Sequence, residues 1–208
     1  MHLFYVTRLT NKPFANRTKS KTLILMAAVA VLALSPISVT PAAQPHKFTT
    51  IDVPGASFPF GTTPSGINSH GDIVGGYYDS DFNLHSFLLS KGKFMAIDVP
   101  GAVQTQVVKI NPQGGIVGNY YDSSFNLHGF LLSKGKFTTI DVPGARLTQA
   151  SGINAQGEIV GNFVETSSFH THGFLLSNGA FTTIDVPGAV HTQPSAINPR
   201  GEIVGDYF

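Results

Sequence analysis

The sequence contains no cysteine, which excludes both a disulfide framework and any thiolate metal site. Charge is scarce too: Asp, Glu, Lys and Arg make up 12% of the chain, about half the usual share. Cations are scarcer still once their positions are considered. Five of the 13 Lys and Arg residues (Arg8, Lys12, Arg17, Lys19 and Lys21) lie in the first 43 residues, and none of the 12 Asp and Glu residues does. Residues 44–208 therefore hold 8 basic against 12 acidic side chains, a net charge of −4. No basic stripe remains to neutralise a phosphate backbone, so nucleic acid is excluded as a partner. The apolar run Leu23–Leu34 has twelve residues, too few to cross a bilayer where a spanning helix needs about 20. No Gly-x-Ser-x-Gly elbow, P-loop or His-Glu-x-x-His is present.

What is present at the N-terminus has the order of an export signal: a basic region, the apolar run, then the small residues Thr40-Pro41-Ala42-Ala43. Residues 1–43 are read as a signal peptide, with an uncleaved N-terminal anchor as the alternative. A secreted, extracellular or periplasmic location follows, with no membrane attachment after cleavage.

Residues 44–208 repeat one phrase four times. It opens Phe-Thr-Thr-Ile-Asp-Val-Pro-Gly at Phe137, continues as Gly152-Ile153-Asn154 and Glu158-Ile159-Val160-Gly161, and closes on His172-Gly173-Phe174-Leu175-Leu176-Ser177. Its aspartates Asp52, Asp98, Asp141 and Asp185 are 46, 43 and 44 residues apart, a period that marks a repeat architecture. The units are 47–92, 93–135, 136–179 and 180–208, the last incomplete.

Each unit predicts four short strands. The first begins at Phe48, Phe94, Phe137 or Phe181 and stops at Pro-Gly, which favours a turn. The second ends at Ile67, Ile110, Ile153 or Ile197, and the third carries Ile-Val-Gly. The fourth is His-x-Phe-Leu-Leu-Ser, beginning at His85, His128 and His172. Asn178-Gly179, Lys91-Gly92 and Lys134-Gly135 suit two-residue type I′ hairpins. Adjacent apolar residues in strands three and four ask for burial on both sheet faces. The expected fold is all-β, built from four-stranded antiparallel units in a small or incomplete β-propeller of about four blades.

If the Pro-Gly connection crosses between blades, each blade takes strands two to four of one unit and strand one of the next. Residues 65–98, 108–141 and 151–185 then form three blades. Phe48–Val53 and the strand ending at Phe208 are left over. The edge at Ile203–Phe208 is expected to be unpaired, so either the chain is a truncated form or it self-associates through that edge. Length differences fall in the Pro-Gly connections and between strands three and four, which marks that end as the candidate binding face.

The pattern Ile-Asn-x-x-Gly-x-Ile-Val-Gly followed by His-x-Phe-Leu resembles the HAF family of bacterial extracellular repeats, named for a His-Ala-Phe signature. Residues 47–208 carry the resemblance, with Ser86, Gly129 and Gly173 in place of the signature alanine. The resemblance implies an exported, propeller-like protein with no catalytic residues to carry over.

Several residue sets are candidate sites. Three imidazoles gathered by symmetry (His85, His128, His172) would suit zinc or copper. A residue copied into every unit is better explained as a structural tie, His to the unit's own Asp or to a backbone carbonyl. The same reasoning makes Asp52, Asp98, Asp141 and Asp185 structural rather than catalytic. Asp79-Ser80-Asp81-Phe82-Asn83 lacks the Gly and distal Glu of an EF-hand and reads as a solvated loop. Tyr77, Tyr78, Asp79, Tyr120, Tyr121 and Asp122 form the candidate ligand face, the tyrosines being either aromatic platforms for sugar rings beside carboxylates or, the favoured reading, blade packing. No cofactor, metal ligand or catalytic residue is assigned. The expected function is a non-enzymatic binding or scaffold module for a carbohydrate or protein ligand. The alternative is a polysaccharide lyase or hydrolase using non-repeated residues, for which Glu165, His170 and His191 are the candidates.

Overall fold

The computed structural model describes residues 48–57 and 61–208, together with the backbone of 2–6. Most of the expected signal peptide lies outside the described residues. The chain divides into a unit of Met1–Leu9 with Ile51–Phe208 and a unit of Thr10–Thr50, and the strands belong to the first.

The described residues form strands and no helix. β1 is His2–Val6. The first sheet holds β2 (Thr62–Ile67), β3 (Ile73–Tyr78), β4 (Leu84–Ser90) and β5 (Lys93–Ala96) in that order. The second holds β6 (Gln104–Ile110), β7 (Ile116–Tyr121), β8 (Leu127–Ser133) and β9 (Lys136–Ile140). The third holds β10 (Ala145–Ile153), β11 (Ile159–Glu165), β12 (Thr171–Ser177) and β13 (Ala180–Ile184). β14 (Thr192–Ile197) and β15 (Ile203–Tyr207) pair in the fourth, and β1 occupies the far side of β15. All these pairings are antiparallel. Each complete sheet thus takes three strands from one repeat and the last from the next, as the strand count predicts.

Two expectations require correction. Phe48–Val53 is not a strand: a strand needs a ladder partner, and no strand four pairs with this stretch, which leaves Phe48 exposed. The β15 edge, expected to be open, is paired along its length by His2–Val6, a segment assigned by its position to the signal peptide.

Turn chemistry explains the sharp repeat geometry. Lys91-Gly92, Lys134-Gly135 and Asn178-Gly179 have positive φ at both positions, the signature of the type I′ hairpin whose twist matches the strands it joins. Strand two of every sheet carries a register slip at the equivalent place, Pro64/Gly66, Val107/Lys109, Ala150/Gly152 and Pro194/Ala196, a bulge that bends the strand; β10 slips a second time between Ala145 and Leu147.

The sheets stack in series through these bent strands. β6 lies across β3 and β4, β10 across β7 and β8, and β14 across β11 and β12. Val74, Val117 and Val160 are completely buried at these junctions, clustered with Val107, Ala150 and Ile203 respectively. Phe87, Phe130 and Phe174 fill the sheet interiors, each worth about 1.5–3 kcal/mol of burial. The sheets do not close on one another, so the architecture is established as four stacked antiparallel sheets.

Candidate ligand-binding face

The Pro-Gly connections and the loops between strands three and four meet at one end of the sheets. Backbone bonds join them in successive repeats: Ser57 N to Tyr78 O (2.8 Å), Val103 N to Tyr121 O (2.8 Å) and Val190 N to Phe208 O (2.8 Å). Thr166 Oγ1 donates to Gly144 O at 3.1 Å in the third repeat.

A histidine clamp organises this end. His128 Nδ1 faces both oxygens of Asp141 at 2.9 and 3.0 Å, and its Nε2 is 3.4 Å from Asp122. His172 repeats the arrangement with Asp185 at 3.0 Å, while Glu165 stands 3.5 Å from its Nε2. His85 bonds Asp79 through Nε2 at 3.0 Å and lies 4.0 Å from Asp98. Each ring also stacks on an aromatic of strand three: Tyr77, Tyr120 or Phe163, with centroids 5.2, 5.1 and 5.3 Å apart. Every strand-four histidine is therefore placed between the aspartate of the next repeat and an acid of its own loop. Asp52 sits exposed on the irregular stretch that precedes the first sheet.

Charge reinforces the clamp. Burial alone would lower the pKa of His128, but hydrogen bonds to the Asp141 and Asp122 carboxylates outweigh it and raise the value above its ordinary 6.5. Asp122 is held down to about 2, chiefly by the Asn126 side chain and backbone. The His85 hydrogen bond, with help from Asn83, depresses Asp79 strongly as well.

These carboxylates are saturated by the loop they close. Asp79 Oδ1 accepts from Asp81 N and Asn83 N, both at 2.9 Å, and its Oδ2 takes Asn83 Nδ2 and His85. Asp122 grips Ser124 N, Asn126 N and Asn126 Nδ2 in the same way. Among the described residues no group of three or more His, Asp or Glu side chains is arranged to hold a metal ion. Tyr77 and Tyr120, read from sequence as packing residues or sugar platforms, are the stacking partners of the histidines. Tyr120 also bonds Thr139 Oγ1 at 3.0 Å. Tyr121 lines a small recess of about 50 Å³ with Gln104 and Gln106. Tyr78 lies beside the connection through Ser57.

The tight loops produce a feature that sequence reading missed. Phe82, Phe125 and Phe169 sit at their tips with φ of 62°, 60° and 56°, and are 63%, 71% and 61% exposed. A left-handed backbone costs an L-residue about 1–2 kcal/mol, and only Gly, Asn and Asp visit it readily. The signal was a phenylalanine recurring inside a polar hairpin loop. Arg146 lies over the Phe169 ring at 5.0 Å.

Further along the sheets, Asn119, Gln149, Asn162, Gln193, Pro194 and Asp206 line a cleft of about 370 Å³. Its wall is rich in amides and contains one carboxylate, Asp206. The non-repeated candidates gather elsewhere: the His170 ring lies 6.4 Å from both His172 and His191, and Glu165 receives a 2.7 Å bond from Ser168.

No family model matches the chain, and no curated protein is significantly similar to it.

Proposed function

We propose that this chain is an exported, non-enzymatic repeat protein of the HAF type that binds carbohydrate on its loop end. Phe82, Phe125 and Phe169 serve as the contact rings. The observation that carries the reading is the strained, solvent-facing conformation of three equivalent phenylalanines. Strain of this kind concentrates at ligand clamps. An asparagine at each tip would be more stable, and an exposed aromatic gains nothing from the core, so its value lies in what it contacts. Flat apolar rings suit the CH-rich faces of sugar rings, and in the first two loops Asp79 and Asp122 fix the backbone on either side of the phenylalanine.

The enzymatic alternative has less support. Hydrolysis of a glycosidic bond takes two carboxyl groups about 5–9 Å apart, and the amide-lined cleft of about 370 Å³ offers one carboxylate, Asp206. The acids at the loop end already serve the backbone and the histidines.

The test is a glycan array with product analysis on exported protein, whose N-terminus is sequenced in the same preparation. Binding without released product, and a mature start near Ala42 or Ala43, is expected. Replacing all three residues (Phe82→Asn, Phe125→Asn, Phe169→Asn) should weaken binding at least about tenfold while the melting temperature holds or rises, because the backbone strain is relieved. Unchanged binding by that variant overturns the reading, and a released sugar product transfers the protein to the enzymatic class.

A further inference from the structure

Strand four is read by strand three at three fixed positions. In the register of the first three sheets, Phe87, Phe130 and Phe174 stand opposite Gly75, Gly118 and Gly161. A Cβ on those glycines would lie 2.8, 2.7 and 2.8 Å from the phenylalanine ring, and closer still to the strand-two carbonyl oxygens of Thr63, Gln106 and Gln149, so strand two and the ring together close on the glycine. The histidines stand opposite Tyr77, Tyr120 and Phe163, on which they stack. The final leucine of each His-x-Phe-Leu-Leu stands opposite Ile73, Ile116 or Ile159.

β15 presents the same three positions in the same order: Ile203, Gly205 and Tyr207. β1 places Val6 opposite Ile203, Phe4 opposite Gly205 and His2 opposite Tyr207. His2-Leu3-Phe4-Tyr5-Val6 is therefore a His-x-Phe-apolar-apolar strand, set in the register of the three internal copies. A slip by one residue would put Leu3 or Tyr5 against the glycine and reverse every residue between sheet faces, so a chance pairing would rarely arrive at this match.

We propose that the β15 edge is a strand-accepting site specific for the His-x-Phe-apolar-apolar pattern, and that its occupant in the full chain is the chain's own His2–Val6. Main-chain bonds supply the affinity in such strand addition, and alternate positions supply the selection. One segment then has two exclusive uses. Before removal of the leader it covers the edge, and cleavage near Ala42 or Ala43 takes it away and opens the site.

The absence of cysteine makes the test clean. Leu3 and Asp206 are register partners. Phe208 exchanges both its backbone bonds with the β14 side, so by alternation Leu3 and Asp206 form a non-hydrogen-bonded pair, the closer kind. In the full-length chain, Leu3→Cys with Asp206→Cys should oxidise to an intramolecular disulfide at least about tenfold faster than the displaced pair Leu3→Cys with Val204→Cys. Adding Phe4→Asp should abolish that advantage, and adding Gly205→Leu should do the same from the other side of the pair. Equal rates for the two cysteine pairs overturn the pairing. A disulfide formed only between copies overturns self-occupancy, and rapid intramolecular oxidation that survives both Phe4→Asp and Gly205→Leu overturns the reading of pattern.

Discussion

The junction between the second and third sheets and the junction between the third and fourth begin from the same residue type and end differently. Asn119 holds the backbone of Ala150: Oδ1 accepts from Ala150 N at 2.8 Å and Nδ2 donates to Ala150 O at 3.2 Å. One repeat later Asn162 occupies the same place, but its counterpart is Pro194, which has no N–H to give. Asn162 Nδ2 turns to Gln149 Oε1 at 3.3 Å instead. Between the first and second sheets Gly76 stands at this place and Ser86 takes over, its Oγ accepting from Val107 N at 3.0 Å and donating to Thr105 O at 2.9 Å. The repeat copies its frame, whereas the lock between sheets is rewritten at each junction. The amide-lined cleft opens where proline leaves the lock unmade.

The largest effect tests whether the frame really is shared. Phe130 and Phe174 are both fully buried and oppose equivalent glycines. Phe130→Ala and Phe174→Ala should each cost about 3–5 kcal/mol in urea unfolding, and by similar amounts. A difference of more than about 1–2 kcal/mol between them would mean that the two repeats are not packed alike, and the comparison of their locks would lose its reference.

A smaller effect sharpens the contrast itself. Asn119→Ala removes both hydrogen bonds to Ala150 and leaves its buried N–H without a partner, a loss of about 1–3 kcal/mol. Asn162→Ala strands no backbone donor and should cost less than about half as much. Pro194→Ala returns an N–H to the fourth sheet. In that background Asn162→Ala should become more costly by about 1 kcal/mol, measured as the coupling in a double-mutant cycle. A coupling of zero would show that proline is not what separates the two junctions.

The strand order, the type I′ turns and the exchange of strand one between sheets were all legible, because they follow from hydrophobic pattern and turn chemistry within about 44 residues, the repeat length. The tips were not: nothing in Asp79-Ser80-Asp81-Phe82-Asn83 states that a carboxylate gripping two N–H groups would force Phe82 into a left-handed conformation. The locks at Asn119 and Ser86 were equally hidden, since each joins residues 31 or about 20 positions apart across a sheet junction. His2-Leu3-Phe4 was in plain sight as a His-x-Phe signature. Its place ahead of a basic and apolar leader gave it a processing role, and only the register against β15 gives it a structural one.

The smallest effect compares the clamps of the same two repeats. His128 is hydrogen-bonded to two carboxylates, Asp141 and Asp122. His172 bonds Asp185 alone, its buried Nε2 having no hydrogen-bond partner beside Glu165. His128→Gln should therefore destabilise more than His172→Gln at neutral pH. The pH dependence has a fixed sign. Because the folded pKa of His128 is raised above its unfolded value, its contribution is complete below about pH 6.5 and is lost as pH rises through the folded value. Asp122 works in the opposite sense: held down to about 2, it contributes fully above the ordinary carboxylate range and loses that contribution as pH falls toward 2. Because Asn126, present in both proteins, is the chief cause of the low Asp122 value, the stability difference between wild type and His128→Gln should form a plateau below about pH 6.5 that falls on the alkaline side as the imidazolium is lost. Thermal melts of both proteins across that range read the plateau directly. A difference that grows above pH 7 would show that His128 acts in its neutral form, and the two-carboxylate clamp would then be a hydrogen-bond acceptor arrangement rather than an ion pair.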